Sequence, residues 1–179
     1  MYTSILDFCF NEAGSSQFFT KCSDFDQTLT QRYAETLKQA AAGEFYAWRH
    51  SIHGRLAEII ILDQFSRNIY RDTPAAFAQD AMALALAQEA VAAGALQALT
   101  ELDERKFLLM PYMHSESKLI HEQAEQLFQR FTDEETYGFE IRHKVIIDRF
   151  GRYPHRNRIL GRSSTAEEVN FLTQPNSSF

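Results

Sequence analysis

Apolar side chains recur at helical spacing along almost the whole chain. Phe25, Leu29, Tyr33, Leu37 and Ala40 form one stripe, with Ser23 placed to cap its start and Gly43 to close it. A second helix is predicted from about Trp48 to Ile69. Its middle, Leu56 to Leu62, is apolar on most sides and reads as the most buried segment. The short isoleucine run would also suit a strand, but Ile52, Leu56, Ile59 and Ile60 keep the helical period.

Thr73 followed by Pro74 is an N-cap with proline at the first helical position, opening an alanine-rich helix from Ala75 to Gly94. A shorter helix is expected from Asp103 to Met110, ended by Pro111. Ile120, Ala124, Leu127, Phe128 and Phe131 mark the next stripe. Thr132 with Glu135, and Thr165 with Glu168, have capping-box spacing. The first would open a helix to about Phe150 and the second a short one through Leu172. Gly151 to Ser164 lies between them as a long loop of little apolar content, and such loops often carry function. Helices joined by short turns predict an all-α protein, an antiparallel helical bundle or a stack of helical hairpins.

Composition narrows the class. A chain of 179 residues, 45% apolar and 23% charged, is expected to form one domain over 1–179. No apolar run reaches the roughly 18 residues needed to span a bilayer, and the start Met1–Asp7 has no basic region of a secretory signal. Cys9 and Cys22 are too few for a disulfide framework, so a reducing cytoplasm is the expected compartment. The net charge of −6 argues against general nucleic-acid binding. It is unevenly spread: seven basic residues and one acid between Arg142 and Arg162 give that segment +6, leaving −12 on the remainder.

Polar residues gather in few places. Asp63 continues the apolar stripe of Ile59 and Ile60 instead of facing away, with Arg67 and Arg71 at successive turns and Gln64 and Asn68 beside them. Charges on a buried face must be paired. Two readings stand: Asp63 orients Arg67 toward an anionic ligand, or the pair is structural. In His114-Ser115-Glu116, Ser115 suits a helix N-cap and Glu116 its first turn, which leaves His114 as a candidate general base. His143 falls on the Phe139, Ile146, Phe150 face and reads as a hydrogen-bonded core residue.

Arg152, His155, Arg156 and Asn157, with Arg162 after Gly161, crowd donors onto the long loop. They could be neutralised by the acidic remainder, or could hold a phosphate or carboxylate in bidentate fashion. No metal-binding pattern appears, although His50 and His53 are three residues apart, and nothing implies a cofactor. Phosphate loops, nucleophile elbows and dinucleotide fingerprints are absent.

Several segments together resemble a bacterial family known as domain of unknown function 924. They are Leu62-Asp63-Gln64-Phe65 with Arg67 to Arg71, Ala76-Phe77-Ala78, His114-Ser115-Glu116, Phe150 to Asn157, and Leu160 to Thr165. The resemblance implies a tetratricopeptide-like helical fold and names no substrate. Ser66 stands where that pattern usually has proline, so the helix is expected to run on there without a kink.

Two functions follow as expectations. The first is a small-ligand pocket: Arg67, Arg71, Arg152, Arg156 and Arg162 bind an anion, Gln64, Asn68 and Asn157 assist, and Asp63, His114 and His155 move protons. It requires the segments to converge. The second is a scaffold for a protein or peptide partner with a purely structural polar network. RNA binding through the basic segment ranks below both, since Tyr153 is its main stacking aromatic.

Overall fold

The central apolar run becomes the helix on which the others are assembled. In this computed structural model, which describes residues 2–178, Leu56, Ala57 and Ile59 to Leu62 are fully buried. They belong to α3 (Ile52–Ile60) and to a widened π-turn at Ile61–Phe65, after which one more helical turn, α4 (Ser66–Ile69), completes the rod. Before α3 lie α1 (Tyr2–Asp7), itself extended by a π-turn at Phe8–Glu12, and α2 (Ser23–Ala41). After it come α5 (Asp80–Ala92), α6 (Ala95–Ala98), α7 (Leu102–Met113), α8 (Lys118–Phe131), α9 (Glu134–Phe150) and α10 (Ala166–Phe171). The described residues contain no strand, and the fold is all-α.

The packing follows the stripes. Leu29, Tyr33, Leu37 and Ala40 of α2 are buried as their spacing requires, and α3 packs against α1, α5 and α7. α7 lies on α8, and α8 on α9. The main core runs from Ile5 to Phe128 and is rich in crossed aromatic rings, among them Phe8, Phe18, Phe65 and Phe107. Ile146, Ile147 and Tyr153 form a smaller cluster with Phe150 and Phe171, which seats the long loop and α10. No helix is long and apolar enough to cross a membrane among the described residues.

The helix boundaries differ from the sequence expectation for local reasons. The segment from Trp48 starts as a 3-10 turn (Tyr46–His50), and α3 begins only after Ser51, whose Oγ accepts from the Gly54 amide at 3.4 Å. A Cβ at residue 54 would lie 2.2 Å from the Trp48 carbonyl oxygen, so only glycine lets the turn fold back onto α3. Ser23 is the first residue of α2 and not its cap. The Thr73 hydroxyl donates to the Tyr70 carbonyl instead of capping, Pro74–Phe77 makes a single 3-10 turn, and α5 starts at Asp80.

Pro111 does not end its helix. Residues 107–113 are all buried, and that packing holds the chain helical through Tyr112 and Met113. Ser115 caps nothing; α8 begins after Ser117. Asp133, not Thr132, caps α9 by accepting from the Thr136 amide at 2.7 Å, because the Thr132 hydroxyl donates back to the Phe128 carbonyl. The Thr165–Glu168 box is formed on both sides. Gly151, at φ +68, turns the chain out of α9 into the long loop. That loop is less polar in place than in sequence: Tyr153 and Pro154 are buried, as are Arg156 and Asn157.

Candidate functional site

The π-turn at Ile61–Phe65 holds one residue more than an α-turn, a device frequent near functional positions. All five of its residues are buried, so Asp63 and Gln64 enter the interior with it. The helix does run on through Ser66, as expected, but the widened turn stands just before it. The side chain of Asp63 is 1% exposed, and such a charge persists only if several partners meet it. Its Oδ1 lies 2.8 Å from Nδ1 of His114 and 3.0 Å from Nη1 of Arg67, and its Oδ2 accepts from the Gln64 amide at 2.5 Å.

Burial opposes ionisation of Asp63, but Arg67 and His114 outweigh it and hold the carboxyl below the ordinary carboxylate range. An ionised Asp63 can only accept, so Nδ1 of His114 carries a proton and Nε2 is the lone-pair nitrogen of the neutral ring. Burial, aided by Arg67, lowers the pKa of that ring. His114 is therefore a neutral, oriented imidazole at pH 7.

Two arginines close over this pair. Arg67 grips Asp80, the first residue of α5, in bidentate fashion at 2.9 and 3.1 Å. Arg156 reaches the same carboxylate at 3.3 Å and donates to the His114 carbonyl at 3.1 Å. Its guanidinium sits between two rings, 4.7 Å from the centre of Phe77 and 4.6 Å from that of Tyr153. Burial, then Arg67, lowers the pKa of Arg156, and its Nε is buried without a hydrogen bond. Asp63, Arg67, His114 and Arg156 come from three separate segments and converge. Gln64 joins them through Asp63. His155 sits on the 3-10 turn of Arg156, its ring 5.5 Å from that of Tyr153. Burial, then Arg156, brings its pKa down to about 4.

The other predicted residues go elsewhere. Arg71 and Asn68 both bind Asp26 of α2, at 2.5 to 3.0 Å, in a separate network. Arg152 makes a bidentate pair with Glu168 and also donates to the Ser163 carbonyl. Arg162 clasps Glu116 at 2.6 and 2.8 Å, and its Nε donates to Asn157, which in turn donates to Ser164. Glu116, read from sequence as a first-turn acid, is instead the anchor of the loop: it also accepts from the Tyr153 amide at 2.8 Å. Burial opposes its ionisation, but Arg162 and that amide lower its pKa overall.

Four contributors were missed. Asp80 and Phe77 lie in an alanine-rich stretch where nothing marks them, apart from the place of Phe77 in the family pattern. His121 and Glu140, both fully buried, bind each other at 2.7 Å. The Nε2 of His121 is 2.8 Å from the Ser115 carbonyl and 3.1 Å from the Tyr153 hydroxyl, which donates to the Met113 carbonyl at 2.6 Å. The backbone on both sides of His114 is thereby clamped. His143 is the core residue expected, its Nδ1 2.8 Å from the Phe139 carbonyl.

Two open clefts occur elsewhere. One is lined by Tyr2, Leu6, Phe10, His53 and Glu104 among others, and the second by Lys21, Asp26, Asn68 and Arg71 among others. Neither includes Asp63, His114 or Arg156. No group of three or more potential ligands able to hold a metal occurs among the described residues.

An all-α protein with a buried carboxylate, histidine and two arginines contributed by distant segments is what the fold and the cluster define. The chain belongs to the bacterial family of proteins of unknown function DUF924, whose model matches residues 5–176. It is similar to a solved structure of a protein of unknown function from Agrobacterium tumefaciens. The two are 35% identical over 96% of each chain, with a TM-score of 0.89. No curated protein matches the chain.

Proposed function

We propose that the chain binds a small anionic ligand against Arg67 and Arg156, and that His114, held by Asp63, accepts a proton from it or from a water beside it. The observation that carries the reading is the bond between Asp63 Oδ1 and His114 Nδ1 at 2.8 Å. It fixes the tautomer and leaves Nε2 as the basic nitrogen, and it sits next to two converging guanidiniums. A neutral imidazole oriented by a carboxylate is a competent general base, and planar guanidiniums suit carboxylate or phosphate oxygens. The side chains of His114 and Arg67, 14% and 17% exposed, give solvent a route to the cluster.

A tetratricopeptide-like scaffold with a structural polar network has one observation in its favour. Arg67, Arg71, Arg152, Arg156 and Arg162 each have a carboxylate partner. Arg156 favours the binding reading, because a network evolved only for packing has little reason to bury a guanidinium with an unbonded Nε. Residues 1–179 act as one domain in either case.

The test is a thermal-shift screen with phosphates, nucleotides and carboxylic acids, since a ligand of the native state alone must stabilise it. Arg156→Met fills the slot between Phe77 and Tyr153 without charge and is expected to abolish the shift while the protein stays folded. A shift that survives this substitution, or no shift with any anion, would sink the reading.

A further inference from the structure

We infer that Asp80 occupies the ligand's own seat: its carboxylate is an internal stand-in, and the ligand presents a carboxylate that replaces it on Arg67 and Arg156. The inference rests on the anion-binding reading and names the ligand's chemistry.

Three features lead to it. The seat is built around a flat, two-oxygen group. Arg67 offers Nη1 and Nη2 to the two oxygens of Asp80 at 2.9 and 3.1 Å, a side-by-side pairing, and Arg156 adds a third contact at 3.3 Å to the oxygen already held by Nη2. A carboxylate satisfies this geometry with no oxygen left over, whereas a phosphate would bring further charged oxygens into a seat that binds two. Asp80 also lies on the solvent side. Its side chain is 23% exposed against 7% for Arg156 and 1% for Asp63, so it is the member that can leave without opening the core.

Charge gives the third feature. Asp63 and Asp80 balance Arg67 and Arg156, with His114 neutral; when Asp80 withdraws, the seat carries one uncompensated positive charge, and one monovalent carboxylate restores the balance. Asp80 has an alternative when it withdraws, because it stands in the first turn of α5, where the helix N-terminus and water both favour an acid. A ligand carboxylate in the seat would lie beside His114, the proposed proton acceptor, and its remaining groups would project toward solvent through the place Asp80 vacates.

The experiment is chemical complementation of Asp80→Ser, with sodium acetate, sodium formate and inorganic phosphate as probes at matched ionic strength, followed by thermal shift and by calorimetry. The expected result is saturable stabilisation of D80S by acetate or formate, with an apparent Kd at least tenfold lower than for the wild-type protein. The double variant carrying Arg67→Met as well is expected to lose it. If D80S does not fold in chloride, recovery of the helical signal on adding acetate reads out the same seat, and failure to recover it overturns the inference. Asp80→Asn, which keeps the shape and removes the charge, is expected to bind acetate more weakly than D80S. Tighter binding of phosphate than of acetate by D80S would overturn the carboxylate assignment while leaving the anion-binding reading intact. No anion binding by D80S, alongside a wild-type shift abolished by R156M, would place the ligand away from Asp80 and overturn only this inference.

Discussion

Asp63 and His114, 51 residues apart in sequence, share a 2.8 Å hydrogen bond inside the protein. It constrains the ring closely, because the carboxylate is buried and ionised and can only accept. The accepting oxygen also meets Arg67.

Removing that charge is expected to unsettle both partners. Asp63→Asn leaves Asp80 as the one carboxylate on Arg67, whose Nη1 keeps its bond to the residue 63 carbonyl, and sets an amide against the Gln64 side chain, which now donates to Oδ2. Breaking a buried ion pair from one side costs about 3 kcal/mol or more. Urea denaturation of D63N should show a midpoint lowered to that extent. Nitrogen-15 shifts of the His114 ring should show loss of the single Nδ1–H tautomer. A ring that keeps that tautomer in D63N would mean Asp63 does not set it.

The buried histidines predict acid sensitivity. His155 titrates at about 4 in the folded chain, from burial first and then from Arg156, against 6.5 for an ordinary histidine. His114 and His143 are lowered in the same direction, again by burial first. Between these values the unfolded chain binds protons that the folded chain does not, so stability is complete above about pH 6.5 and falls as the pH drops toward 4. Below that, Glu168 takes over. Its hydrogen bond from Arg152 depresses its pKa to about 2 from 4.5, so its contribution is lost as the pH falls through that range. A melting series from pH 7.5 to 4 should show a steady decline, shallower in His155→Gln. A flat profile would contradict the assignment of neutral buried rings.

Glu116 is expected to control the order of the 151–164 loop. Its carboxylate accepts from the Tyr153 amide and from both terminal nitrogens of Arg162. Glu116→Ala removes all three bonds and leaves Arg162 without its carboxylate, held only by Asn157 and the Tyr153 carbonyl, at a cost of about 2 kcal/mol. Hydrogen exchange should then quicken at least tenfold at Tyr153, Asn157 and Arg162, with α2 and α3 unchanged. Glu116→Gln keeps an acceptor for the amide and should show a smaller effect at Tyr153 than at Arg162.

Much of this was legible in the residues. The stripe through Leu29, Tyr33 and Leu37 and the apolar run from Leu56 to Leu62 follow directly from period and burial. Asp63 and Arg67 stood out because a charge on an apolar stripe demands a partner. The helix ends were harder. Ser115, Thr132 and Pro111 all carry local signals that the structure does not follow: the Thr132 hydroxyl turns back to the Phe128 carbonyl, and the residues after Pro111 stay helical because they are buried. The division of labour among the arginines could not be read, because an arginine has the same appearance whether its acid is Asp26, Glu116, Glu168 or Asp80. Asp80 itself looks like any first-turn acid, and His121 and Glu140 become a pair only when α8 and α9 lie side by side.

The widened turn at Ile61–Phe65 takes up one residue more than a regular helical turn and lets the rod continue in phase beyond it. Removing one residue there would restore regular α-helical bonding and leave Arg67 and Arg71 facing Asp80 and Asp26 much as before. Removing one from the regular turns of α3 would instead rotate everything beyond it by about 100° and carry both arginines off their acids. The rod therefore accommodates a one-residue change of length at this turn more readily than within α3. Among members of the family, one-residue differences in length along this rod are expected at the turn and not in α3.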